Sequence, residues 1–315
     1  MAWRNILSRM NSYQKTAVIT VCVTFLLIFI GGLVRATGAG LGCPDWPTCF
    51  GLWIPPLSAA DLPAAYDAEQ FNVIKTWTEY VNRLVGVVVG LLILITFLLS
   101  FRYIRNVPSV FFGSAAALVL VLFQGWLGGQ VVLGELQGWM ITIHMITAIV
   151  ILNVLIWTIF RSFRERIRFT LGSGIRRKMV VALLLIIVVT VIQVIFGTQV
   201  REALEAVKAA YPALDRSEWI DRVGQIDQIH RSFSWLVVVF VIYFHYLVRK
   251  SDGGPYLSTM AGLLTTAVLL QIAVGAGLVY LGMPPAFQVF HLWIGAFTVS
   301  VPFLALLFVS ESHPI

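Results

Sequence analysis

Charge is scarce in this chain. Asp, Glu, Lys and Arg make up only 12% of its 315 residues, whereas 59% are hydrophobic. That balance excludes an ordinary soluble domain and places the sequence among polytopic membrane proteins. Cysteine is scarce too, at three residues. Two of them form "CPDWPTC" (Cys43 and Cys49), and no His or further Cys accompanies them, which argues against a zinc site. Cys22 lies inside an apolar run and reads as packing. The net charge of +7 is no argument for nucleic acid, because the basic residues are placed as a membrane protein places them.

Long apolar runs are plentiful. A spanning helix needs about 20 mainly apolar residues, and eight segments qualify: 14–34, 76–101, 108–133, 138–160, 178–200, 227–248, 256–281 and 286–309. More spans follow the first, so it reads as a retained helix and not a cleaved signal. Basic residues gather in alternate connections. Arg4 and Arg9 precede span one, Lys15 stands at its start, and Arg102 and Arg105 follow span two. Arg161, Arg164, Arg166, Arg168, Arg176, Arg177 and Lys178 fill the middle, and Arg249 and Lys250 follow span six. All fall on one side, so both termini are expected in the cytoplasm. The opposite loops, 36–75 and 201–226, are relatively acidic. Cys43 and Cys49 then lie outside the cytoplasm, where a disulfide persists; a redox-active pair is the alternative.

The eight spans divide into a repeat. "FIGGLVRATG" resembles "IFGTQVREAL", pairing Arg35 with Arg201. "QGWLGGQVVL" resembles "QIAVGAGLVY", pairing Gln124 with Gln271 and Gly128 with Gly275. At the same offset His144 falls on His291; at an offset of 148 "EYVNR" aligns with "DQIHR", so that Glu79 matches Asp227, Asn82 matches His230 and Arg83 matches Arg231. Each half holds an even number of spans and keeps its orientation. The expected fold is all-α and integral to the membrane: two four-helix bundles, 1–165 and 166–315, related by a pseudo-twofold axis along the membrane normal.

Asn82, His144, His230 and His291 then share one depth near the outer face. Imidazoles facing each other from two helices are what a six-coordinate heme requires, so His230 and His291 are the expected axial pair. Arg35, Arg83, Arg201 and Arg231 lie at the same end and suit propionates. His245 and His313 read as structural. The first bundle offers His144 but has Asn82, a poor iron ligand, where the second has His230. A heme there keeps one face open, which suits a site that transforms something. Glu79 stands one turn before Asn82, on the same helical face.

At these residues the chain resembles the heme A synthases of bacteria and mitochondria. The likeness rests on "GGLVRATGAGLGCPDWPTC", on "EYVNR" and "IHRSFSW", and on the histidines of spans four and eight, and it covers nearly the whole chain. It implies a b-type heme held by His230 and His291 in the C-terminal half. It also implies heme O as substrate in the N-terminal half, its ring methyl oxidised to the formyl group of heme A. Glu79 would be an essential acidic residue and His144 a substrate-side ligand. The partners it implies are a heme O synthase and terminal oxidase assembly factors, in a bacterial inner membrane, with a homo-oligomer left open. Many members carry Glu-x-x-His-Arg where this chain has "EYVNR". Either His144 is then the sole protein ligand, or another group fills the sixth position. Loop 201–226 also lacks the cysteine pair found in some members.

Two other classes remain. A diheme cytochrome b would pass electrons between a quinol and a partner, but electron-transfer hemes usually keep both axial ligands. A transporter would place its polar residues at mid-membrane, and here they cluster near one face.

Overall fold

In the computed structural model, residues 10–164, 170–251 and 254–314 are described. Arg4, Arg9, Arg166, Arg168, the 165/166 boundary and the His313 side chain lie outside that description. Eight helices are long and apolar enough to cross a membrane: α1 Ser12–Ala36, α2 Val73–Ser100, α3 Pro108–Leu133, α4 Gly138–Ser162, α5 Ser173–Ala210, α6 Gln225–Arg249, α7 Gly254–Tyr280 and α8 Pro285–Ser310. Their starts follow local chemistry. Asn11 caps α1 in a reciprocal box with Gln14, the Asn72 side chain accepts from the Lys75 N–H at the start of α2, and proline opens α3 and α8.

The first four helices pack as a cycle, α1–α2–α3–α4–α1, and the last four repeat it as α5–α6–α7–α8–α5. Between the halves α8 packs on α1 and α4, and α4 also meets α5. Lipid is as apolar as leucine, so association inside the bilayer depends on close packing and on polar links between helices. Thr20 Oγ1 meets Thr96 Oγ1 at 3.1 Å, and Tyr13 OH meets Ser114 Oγ at 3.0 Å. The α1–α8 seam is aromatic: Phe25 stacks on Phe297 with centroids 4.2 Å apart, and Phe29 meets Trp293 edge-on. Trp293 Nε1–H donates to the Phe25 carbonyl at 3.0 Å.

Both ends of the described chain lie at the basic end of the bundle. There Glu311 accepts from Arg161 (2.6 Å) and Arg164 (2.9 Å), and Arg176 donates to the last carbonyls of α8, Val309 and Ser310. Thr170–Leu171 pairs in parallel with His313–Pro314, the one strand ladder among the described residues.

Two sequence expectations need correction. Span five does not stop at 200, because α5 continues to Ala210. Its 38 residues run about 57 Å, well beyond the roughly 30 Å of bilayer hydrocarbon. The i,i+4 and i,i+3 pairs Arg201–Glu205 and Lys208–Glu205 support the extension. Its apolar stripe, Leu204 and Val207, packs with Val223 and Met283. Cys22 is exposed on α1 and therefore does not pack in the interior.

Candidate functional site

At the end opposite the basic one, the loop between α1 and α2 folds down onto α2. Asp45 organises its tip, accepting from the Thr48 hydroxyl and from the Phe50 and Gly51 amides at 2.6 and 2.9 Å. Cys43 and Cys49 are buried and form a disulfide. The chain passes so close to α2 that a methyl group on Gly42 would lie 2.4 Å from the Lys75 carbonyl oxygen, so only glycine fits there.

Glu79, 4% exposed, sits beneath this loop. Its Oε2 accepts from the Cys43 N–H at 3.0 Å, and its Oε1 accepts from Arg83 at 2.6 Å. Arg83 also donates to the carbonyls of Asp45, Thr48 and Cys43, at 2.8, 2.8 and 3.2 Å. A guanidinium has five N–H groups, and four of these are now engaged. The expectation that Arg83 stands ready for a propionate is therefore revised: it locks the disulfide loop to Glu79. The cause is burial, since a carboxylate out of water needs hydrogen-bonded partners. Its repeat partner Arg231 is different. It is 48% exposed and holds only Asp227, at 2.6 Å, among the described residues.

The histidine layer lies within the first three turns of the even-numbered helices. The His230 and His291 ring centroids are 6.3 Å apart, with planes at 70°. An iron held by both rings, with metal–imidazole bonds of about 2 Å and each nitrogen about 1 Å from its ring centre, sets the centres about 6 Å apart. The pair thus fits a bis-histidine heme. Each histidine turns its Cε1 edge onto a glycine of the preceding helix. A methyl group at Gly128, Gly197 or Gly275 would approach the Cε1 of His144, His230 or His291 to 3.3, 3.3 or 3.1 Å.

The glutamine and glycine pairs of the repeat gain a third member in Gln193 and Gly197. Gln124 donates to the His144 carbonyl at 2.9 Å, Gln193 to that of His230 at 2.6 Å, and Gln271 to that of His291 at 2.9 Å. The visible signal is Gln-x-x-x-Gly on α3, α5 and α7. The corresponding stretch of α1 reads Leu27 and Gly31, and Gly31 faces Asn82 Oδ1 at 3.8 Å from where its Cβ would be. Glutamine and histidine are thus replaced together at one of four positions. Asn82 Oδ1 is buried with no hydrogen-bond partner among the described residues, an acceptor open to a bound group.

The remaining arginines differ in freedom. Arg201 donates to Gln288 Oε1 at 2.7 Å and to the Arg35 carbonyl at 3.3 Å, and pairs with Glu205. The Arg35 guanidinium has no hydrogen bond among the described residues, so Arg35 is the freer cation. His245 Nδ1 meets Thr265 Oγ1 at 3.3 Å, a structural contact away from this layer.

Several known proteins are similar over this architecture. A protein named heme A synthase from Shewanella oneidensis is 23% identical over 299 residues, covering 87% of this chain and 89% of that protein. One of the same name from Exiguobacterium sp. is 26% identical over 291 residues, covering 90% and 89%. Another, from Shouchella clausii, is 34% identical over 124 residues, covering 39% of this chain and 36% of that protein. The model of one family, described as cytochrome oxidase assembly protein (COX15-CtaA), matches residues 14–302. With the match running from the first spanning helix to the last, the chain belongs to the COX15-CtaA family of cytochrome oxidase assembly proteins.

Proposed function

We propose that this chain is a heme A synthase, a membrane oxidoreductase that converts the ring methyl group of heme O to the formyl group of heme A. The two halves, 1–165 and 166–315, are related by a pseudo-twofold axis and hold different hemes. His230 and His291 would hold a resident b-type heme, with Arg35, Arg201 and Arg231 on its propionate side. When bound, that group supplies one-electron chemistry at its iron. Heme O is the substrate of the first half, with His144 on one face and Asn82 on the other.

In the first half the protein orients the substrate and handles a proton. Glu79 holds or releases that proton at a carboxylate oxygen, and Arg83 and the Cys43 N–H fix the carboxylate in place. The disulfide loop covers this corner and keeps water from it. The histidine layer faces outside, both termini face the cytoplasm of a bacterial cell, and the product passes to terminal oxidase assembly.

The contrast between the halves carries this reading. Three histidines have a glutamine donor and a glycine seat, and the fourth position has Leu27 and Asn82. A diheme cytochrome gains nothing from losing one ligand of four, whereas an open substrate face follows directly. The test is to extract hemes from cells expressing the protein with and without a heme O source. Heme A or its hydroxymethyl precursor should appear only with both. Heme O left unchanged beside a fully loaded b-type site would overturn the proposal.

A further inference from the structure

The two seams between the halves are related by the repeat but filled differently. On the α1–α8 seam Phe25, Trp293 and Phe297 interlock. The offset of 166 that pairs Arg35 with Arg201 places Val191 where Phe25 stands. The offset of 147 that pairs His144 with His291 places Ile146 at Trp293 and Val150 at Phe297. Three rings are thus exchanged for three branched aliphatic side chains on the α4–α5 seam. A crevice of about 510 Å³ opens there, lined by Ile146, Val150, Asn153, Val191, Val194 and Val299 among others. Thr142 Oγ1 donating to Thr198 Oγ1 at 2.9 Å closes it on the side of the histidine layer. From Ile146 to Trp157 it runs about 16 Å along α4.

Its walls are apolar apart from Asn153. The Asn153 amide donates to the Ile149 carbonyl at 2.8 Å, but its Oδ1 is buried with no partner among the described residues. A lone water does not suit the place, because a buried water needs two to four polar partners. A phospholipid acyl chain fills volume but carries no donor. An apolar body with one hydroxyl satisfies both walls and acceptor, and a few placed polar groups in an apolar pocket between packed units is the usual form of a small-molecule site.

We propose that the α4–α5 seam is a binding site for a membrane-soluble prenyl chain that carries a hydroxyl group. Two sources share that chemistry: a prenylated quinol from the bilayer, and the polyprenyl side chain of the heme substrate. Only the second rests on the proposed function; the site itself does not.

The test uses the full-length protein in nanodiscs of a single phospholipid, with a diazirine-bearing farnesol as probe. Labelling should be saturable and concentrated within residues 146–157 and 187–194. Val150→Phe/Val191→Phe installs two of the three rings that fill the other seam and should reduce labelling at least fivefold. Asn153→Leu removes one hydrogen bond and should weaken labelling about fivefold. Thermal unfolding of each variant, read alongside, should match the parent. Labelling unchanged in both variants, or spread evenly over lipid-facing residues, overturns the proposal. Displacement by a short-chain quinol identifies the bilayer carrier. Displacement by heme O but not by heme lacking the prenyl tail identifies the substrate side chain. If neither displaces the probe, the seam is filled by lipid and the proposal fails. Labelling that behaves as expected in a protein that makes no heme A sinks the heme reading and leaves this site standing.

Discussion

Replacing Arg83 by methionine keeps most of the apolar stem and deletes four hydrogen bonds at once. Glu79 is then left 4% exposed and held only by main-chain N–H groups of the loop, that of Cys43 among them, and the carbonyls of Cys43, Asp45 and Thr48 lose their donor. Removing one member of a buried ion pair costs about 3–5 kcal/mol. The repeat-equivalent change, Arg231→Met, touches one partner through a half-exposed side chain, and solvent screening holds its cost to about 1 kcal/mol. The two differ by at least about 2 kcal/mol, and the Arg83 penalty should appear as opening of the loop. When opening is fast, proteolysis follows the open population, so about 3 kcal/mol should raise cleavage within 37–72 more than a hundredfold. Arg231→Met should leave that rate within a few-fold of the parent. Adding Glu79→Gln to Arg83→Met should recover part of the loss, because the unpaired charge is gone. Equal cleavage in the two arginine variants, or no recovery in the double variant, would refute the idea that Arg83 locks the loop through Glu79.

Three further outcomes are expected. His230→Ala or His291→Ala should abolish a six-coordinate low-spin heme spectrum, while His245→Ala, which loses only its contact with Thr265, should leave the spectrum intact. Glu79→Gln should keep the fold and that spectrum yet stop heme A formation, measured by heme extraction. Asn82→His should move the substrate heme toward low spin. Leu27→Gln/Asn82→His should do so more completely, because His144, His230 and His291 each have a glutamine donor; equal spectra for single and double variants would deny the glutamines a positioning role.

The spans were legible because a bilayer demands runs of apolar residues, and their number and order follow from that alone. Helix ends were less so. The stretch after Arg201 looks like a polar loop, yet Glu205 pairs with cations on both sides and Leu204 and Val207 find an apolar partner surface, so the helix continues. The repeat exposed His230 and His291 because histidine is rare here, with five in the chain. Gln193 and Leu27 are hard to read, because a lone glutamine or leucine in a membrane helix says little; the recurring glycine four residues later reveals the set. The Arg83 contacts were illegible for another reason. Its partners are main-chain carbonyls 35 to 40 residues earlier, and a carbonyl leaves no mark on side-chain identity.

The clasp formed by Glu311 with Arg161 and Arg164 has a consequence for the order in which the molecule is built. A ribosome delivers Glu311 after all eight helices, whereas both arginines emerge with the first four. Until then this carboxylate is missing from both cations, and the halves meet through the seams between their helices. Closure of the clasp is therefore a late event. It ties the far end of the second half to the exit of the first, at a moment when every helix is already in the bilayer. A chain stopped short of Glu311 would insert the same eight helices and lack this fastening.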